Sequence, residues 1–198
     1  MKHANGINLT MLCDFYELTM GNGYFADGMK DRIAYFDIFF RDVPDGGGFA
    51  IAAGLEQIVD YVQNLHFTPE DIAYLRGRKL FREDFLEYLA NFRFTGDIWA
   101  VPEGTPIFPR EPVITVRAPA IQAQLIETYL LLEFNHQSLI ATKASRMVRA
   151  AEGRMGLLLI GGIVRHAYFP FCSSAIFLAL PNTPPMVSKN SCISSLKD

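Results

Sequence analysis

Between Asp97 and Pro119 the chain cannot hold a helix. Pro102, Pro106, Pro109, Pro112 and Pro119 punctuate it, and a proline inside a helix removes a donor and clashes with the preceding turn. What remains is three short apolar runs, Asp97–Val101, Thr105–Phe108 and Val113–Val116. Runs of that length with prolines at their ends predict strands of one small antiparallel sheet. Ile33 to Phe40, rich in aromatics, predicts a further strand, and Pro44 to Gly48 a turn or flexible loop.

Helical periods flank these strands. Residues 12–25 read as a helix, with Asp14 as a carboxylate cap, Phe15, Leu18 and Thr19 at spacing for burial, and Gly21 and Gly23 at its end. Residues 55, 58, 59, 62 and 65 form an apolar stripe. Thr68-Pro69-Glu70-Asp71 is a helix start with threonine cap, first-turn proline and early carboxylates, for a helix ending near Gly77. Glu83 to Phe92 predicts another short helix. Ile121 to Ala151 predicts two helices broken around Asn135-His136. Strands in runs followed by helices in runs predict an α+β fold.

Half the 198 residues are hydrophobic and 20% are charged, which suits a packed core and not a disordered chain. The net charge of -3 argues against a nonspecific nucleic-acid binder, which needs a basic face. Cys13, Cys172 and Cys192 show no metal-ligand spacing, and an odd count fits reduced thiols in the cytoplasm. The first residues lack the apolar core of a signal peptide.

The composition changes near Gly153. Residues 1–153 carry 14 basic and 20 acidic side chains; residues 154–198 carry four and one. Leu157 to Leu180 is strongly apolar, but Arg165 and His166 stand near its middle, and a central arginine costs about 2.5–3.5 kcal/mol on insertion scales. A buried strand or an apolar tail is the better reading than a membrane span. From Pro181 the sequence is Pro/Ser-rich and reads as loop.

Several side chains invite a chemical reading. Tyr16 either packs its helix onto the sheet or offers a face for stacking. Lys143, Arg146 and Arg149 recur every third residue on a predicted helix; they are either a solvated charged face or a site for pyrophosphate. Gly46-Gly47-Gly48 lacks the Lys-Ser/Thr of a P-loop. His3, His66, His136 and His166 have no second ligand at helical or hairpin spacing, so no metal site is expected. Glu17, Glu103 and Glu127 stand as isolated carboxylates, and no catalytic residue emerges.

The string Asp14-Phe15-Tyr16-Glu17-Leu18-Thr19-Met20 resembles the N-terminal signature of nicotinate phosphoribosyltransferases of the bacterial type. So, in the same order, do Arg41 to Gly48, Phe49 to Leu55, Pro102-Glu103-Gly104-Thr105-Pro106, Leu125-Ile126-Glu127-Thr128 and Asn135 to Arg146. The likeness runs from about Asn8 to Gly153. It implies the N-terminal helix-and-antiparallel-sheet domain of a type II phosphoribosyltransferase over residues 1–134. Residues 135–153 are then the first helix leading into an α/β barrel, and 154–198 an unrelated tail.

The resemblance also implies an activity: joining nicotinate to phosphoribosyl pyrophosphate in NAD biosynthesis, with Mg2+ and with ATP hydrolysed through a phosphohistidine. It implies a homodimer in which Tyr16 stacks on nicotinate in a neighbouring subunit, with Lys143 and Arg146 on the phosphate side. The sequence departs from the family after Gly153. It runs Arg154-Met155-Gly156-Leu157 in place of a Gly-x-Arg-Arg-Ala segment, and it has no Gly-Thr-x-Ala-His-Ser-like segment for the catalytic histidine. The expectation is a chain that is inactive alone, its barrel replaced through a frameshift or rearrangement. The alternative is a non-catalytic fragment that associates with intact subunits.

Overall fold

The computed structural model describes residues 8–43 and 46–150. The predicted tail 154–198 lies outside them, as do Pro44, Asp45, Cys172, Cys192, His3 and His166. The elements are α1 (Phe15–Ala26), β1 (Ile33–Ile38), β2 (Ala50–Ile51), α2 (Leu55–Asn64), α3 (Pro69–Gly77), α4 (Glu83–Ala90), β3 (Asp97–Ala100), β4 (Pro106–Ile107), β5 (Ile114–Pro119), α5 (Ala120–Leu125) and α6 (Glu127–Ala150). This is the expected mix of helices with antiparallel strands.

The strands divide between two sheets where one was expected. β5 lies between β1 and β3, antiparallel to both, with Tyr35, Arg117 and Asp97 in one row. Its residues alternate, Ile114, Val116 and Ala118 facing the core. On the other face Arg117 bonds the Asp97 carboxylate (3.0 Å) and the Tyr35 hydroxyl (3.2 Å). β4 pairs instead with β2, in the Phe49–Leu55 stretch. Gly104 donates to Ala52 O (2.8 Å) and Ala52 to Thr105 O (2.9 Å), which turns the Pro102–Pro106 segment back onto β2.

The α3 start is as the sequence predicts. Asp71 N–H donates to Thr68 Oγ1 (3.2 Å) and Thr68 N–H to Asp71 Oδ2 (2.8 Å), with Pro69 at the first position. Two helix ends differ. α1 runs through Gly21 and Gly23 to Ala26, and the turn comes at Gly28, whose φ is +69°. Gly21 stays helical because it is a contact point: a Cβ there would lie 3.4 Å from Phe85 and 3.5 Å from Ile121. α6 passes through Asn135 and His136 unbroken. Neither residue is a breaker, and Phe134, Gln137 and Ser138 around them are all buried. The break falls at Ile126, between α5 and α6.

Candidate functional site

The segment Asp14–Met20 forms the first half of α1. Asp14 occupies the N-cap position, but its side chain makes no capping bond; its N–H donates instead to Thr128 Oγ1 (3.2 Å). The buried residues of α1 are Glu17, Leu18 and Gly21. Phe15 is 50% exposed and Thr19 is exposed, contrary to the burial stripe expected of them. A carboxylate thus points inward where an aromatic ring was expected, because its partners lie there.

Those partners are at the start of α6. Glu17 Oε1 accepts from Thr128 Oγ1 (2.6 Å) and from Thr128 N–H (3.1 Å). The second bond satisfies one of the donors that a helix leaves open at its N-terminus, where the preceding residue, Ile126, has no capping side chain. Glu17 is fully buried, and its Oε2 has no partner among the described residues. Burial outweighs the Thr128 bonds and, with Glu127 and Asp14 nearby, pushes the Glu17 carboxyl up to about 7. Cys13, next to Asp14, is a free thiol pushed up to about 12 by burial and by Glu17 and Asp14, so it is no nucleophile.

Tyr16 precedes Glu17 by one helical position, about 100° around the axis. Glu17 therefore faces in while Tyr16 faces out, 43% exposed. Partial desolvation and the Glu127 carboxylate beside it hold the phenol up to about 12. At neutral pH it is a hydroxyl-bearing ring open to stacking.

The second candidate group lies at the far end of α6. Lys143 is exposed, Arg146 is half-buried and Arg149 lies over the Phe49 ring at 5.4 Å. Gly47 of the glycine loop approaches Arg146. A Cβ at Gly47 would run into the Arg146 guanidinium, with Cζ at 3.0 Å and Val43 Cγ1 at 3.2 Å. Glycine is needed there for close approach, not for a P-loop. Nineteen positions of α6 separate Glu127 from Arg146, about 28 Å at the helical rise. Tyr16, beside Glu127, and the pair Lys143 and Arg146 therefore lie towards opposite ends of α6.

Between the two ends, β2 is sewn to α6. Ile51 N–H donates to Thr142 Oγ1 (2.8 Å) and Ala53 N–H to Ser138 Oγ (3.1 Å). Alternate strand residues point the same way and helix positions four apart share a face, so the spacings match. Glu103 Oε1 accepts from Gly54 N–H (2.8 Å) and Leu55 N–H (2.7 Å), capping α2. Glu17 and Glu103, isolated in sequence, are each a helix cap supplied by a distant segment. Nothing in the local spacing signals either, because the partners are 111 and 49 residues away. Replacing Glu103 with alanine should cost about 2 kcal/mol of stability in a urea unfolding curve. An unchanged midpoint would contradict that role.

Among the described residues no three His, Cys, Asp or Glu side chains converge as a metal site. No helix among them is long and apolar enough to cross a membrane.

A family model of the nicotinate phosphoribosyltransferase N-terminal domain matches residues 11–135. Nicotinate phosphoribosyltransferase pncB2 of Mycobacterium tuberculosis is 47% identical over 144 residues, 73% of this chain and 31% of that protein. The Bacillus subtilis nicotinate phosphoribosyltransferase is 43% identical over 140 residues, 71% of this chain and 29% of its own length. The crystal structure of human nicotinic acid phosphoribosyltransferase superposes with a TM-score of 0.66 at 34% identity, over 74% of this chain and 30% of that one. The chain thus spans under a third of the length of the curated relatives it matches. The family-model match covers both helix caps, and the chain belongs to the nicotinate phosphoribosyltransferase family.

Proposed function

We propose that this chain supplies the tyrosine half of a nicotinate phosphoribosyltransferase site and that the 198-residue polypeptide does not turn over alone. The observation that carries the half-site is the separation, along α6, of Glu127, which stands beside Tyr16, from Arg146; the expectation that the polypeptide does not turn over alone rests on its sequence having no Gly-Thr-x-Ala-His-Ser-like segment. A stacked pyridine ring and the phosphates of one small sugar substrate cannot both be met across about 28 Å of rigid helix. A site using both groups is shared between two copies, with Tyr16 entering from the neighbour. Exposed Leu131, Leu132, Leu139 and Met147 on α6 supply apolar surface for such association, whether with an identical chain or with an intact subunit of the family.

The reaction would join nicotinate to phosphoribosyl pyrophosphate, releasing pyrophosphate. Positive charge develops on the sugar and negative charge on the leaving group, so the site must hold the base in line and meet the phosphates with cations. Tyr16 is suited to the first task by its open ring. Lys143 and Arg146 are suited to the second, Arg146 through the planar fork that matches phosphate oxygens. The residues described do not complete a Mg2+ or ATP site, and no step is assigned to either. The three cysteines without metal spacing favour the cytoplasm.

The test is direct. Purified chain incubated with labelled nicotinate, phosphoribosyl pyrophosphate, Mg2+ and ATP should form no nicotinate mononucleotide above the blank. Turnover by the chain alone would overturn the half-site reading.

A further inference from the structure

We propose that Glu17 and Thr128 are positioning residues for Tyr16: together they clamp the first turn of α1 to the first turn of α6 and fix the direction in which the tyrosine ring leaves the domain. The importance of this clamp for catalysis rests on the reading of Tyr16 given above; the clamp itself does not.

Four observations carry it. The start of α1 has no side-chain cap of its own, so its anchorage comes from elsewhere. Both contacts across the joint converge on one residue: Asp14 N–H donates to Thr128 Oγ1, and Thr128 donates twice to Glu17 Oε1. These bonds flank Tyr16 on either side in sequence. Glu17 is fully buried although a carboxyl group loses by burial, so packing alone does not account for an acid at this position. Finally, Glu127, one residue before Thr128, stands beside the Tyr16 phenol. The helix start that holds Glu17 thus also faces the ring. A turn or slide of α1 would have to break all of these contacts at once.

The clamp titrates. The ionisable groups near Glu17 are Asp14 and Cys13 ahead of α1, Tyr16 on α1, Glu127 on α6 and Tyr61 on α2. None of them is a cation, and the Tyr61 hydroxyl has no hydrogen-bond partner among the described residues. The protonated acid keeps Oε1 for Thr128 and carries its proton on Oε2; the ionised acid leaves a buried charge on an unpartnered oxygen. Opening of the joint therefore becomes easier as pH rises through neutrality.

The experiment is fluorine NMR of the full chain with 3-fluorotyrosine in place of tyrosine, the Tyr16 signal being identified by its loss in Y16F. The expected result is a Tyr16 signal away from the unfolded-chain position that shifts with a midpoint near pH 7. E17Q, which retains an oxygen acceptor, should keep the signal in place and lose the pH step. T128V and E17A should move Tyr16 towards the unfolded-chain position while Tyr35 and Tyr74 stay where they are. A Tyr16 signal unmoved in T128V, or a pH step that survives in E17Q, overturns the proposal. Should E17A unfold globally, Tyr35 and Tyr74 report it, and T128V and E17Q decide. No substrate is needed, so failure of the clamp is distinguishable from failure of the nicotinate site, which is read by complementation with Y16A.

Discussion

Gly54→Ala should lower the unfolding free energy by about 3 kcal/mol. Gly54 has φ +105° and ψ 4° at the N-cap of α2, a conformation that costs a residue with a Cβ on the order of 1–3 kcal/mol. The added carbon would also lie 3.1 Å from Gln137 Cγ and 3.3 Å from the Glu133 carbonyl on α6. The side chain can shift, but the carbonyl belongs to a packed helix. The damage is local to a joint that matters. Gly54 N–H is one of the two donors to Glu103, and the residue before it, Ala53, is sewn to Ser138. A chemical denaturation curve should show the loss, about a third of the stability of a typical domain. A loss within 0.5 kcal/mol of zero would mean that β2 does not approach α6 as described.

The pH dependence of stability should carry the signature of Glu17. Its folded-state pKa of about 7 lies above the ordinary 4.5. Between those values the folded protein holds a proton that the unfolded chain has released. The stabilisation is full below pH 4.5 and is lost as pH rises through 7, a total of roughly 3 kcal/mol. E17Q has no such group. The unfolding free energy of the parent minus that of E17Q should therefore fall by roughly 3 kcal/mol from pH 4.5 to pH 8. Parallel curves for the two proteins would contradict the burial of an ionisable Glu17.

Much of this fold is legible in the sequence because its signals are local. The Thr68–Asp71 capping box, the apolar stripe of α2 and the proline-bounded strands each need only a few neighbouring residues. The division of strands between two sheets is not local. β4 follows β3 in the chain but pairs with β2, more than 50 residues earlier, and α6 offers Ser138 and Thr142 to the other edge of β2. The same holds for α1. Its burial face depends on Thr128 accepting and donating from the far side of the domain, so Glu17 turns in and Phe15 out. Glycine as a helix end was overruled at Gly21 by close packing against Phe85 and Ile121.

For the candidate site, the sequence singles out residues but not how the fold groups them. Tyr16, Lys143 and Arg146 stand out in the sequence, but only the length of α6 reveals that one chain holds them far apart. Glu17 and Thr128 were individually unremarkable, since a glutamate on a surface-length helix and a threonine near a helix start have many ordinary uses. The only local hint was the inclusion of both in segments that resemble the family.

The half-site claim is tested most directly by complementation. This chain would be co-expressed with an intact family enzyme whose own N-terminal tyrosine has been replaced by alanine, and mixed dimers would be isolated and assayed for nicotinate mononucleotide. The expected result is activity in mixed dimers carrying Tyr16 and a loss of at least tenfold in mixed dimers carrying Y16A, about 1.4 kcal/mol or more of transition-state stabilisation. Mixed dimers that form but stay inactive, or that are equally active with Y16A, would contradict it.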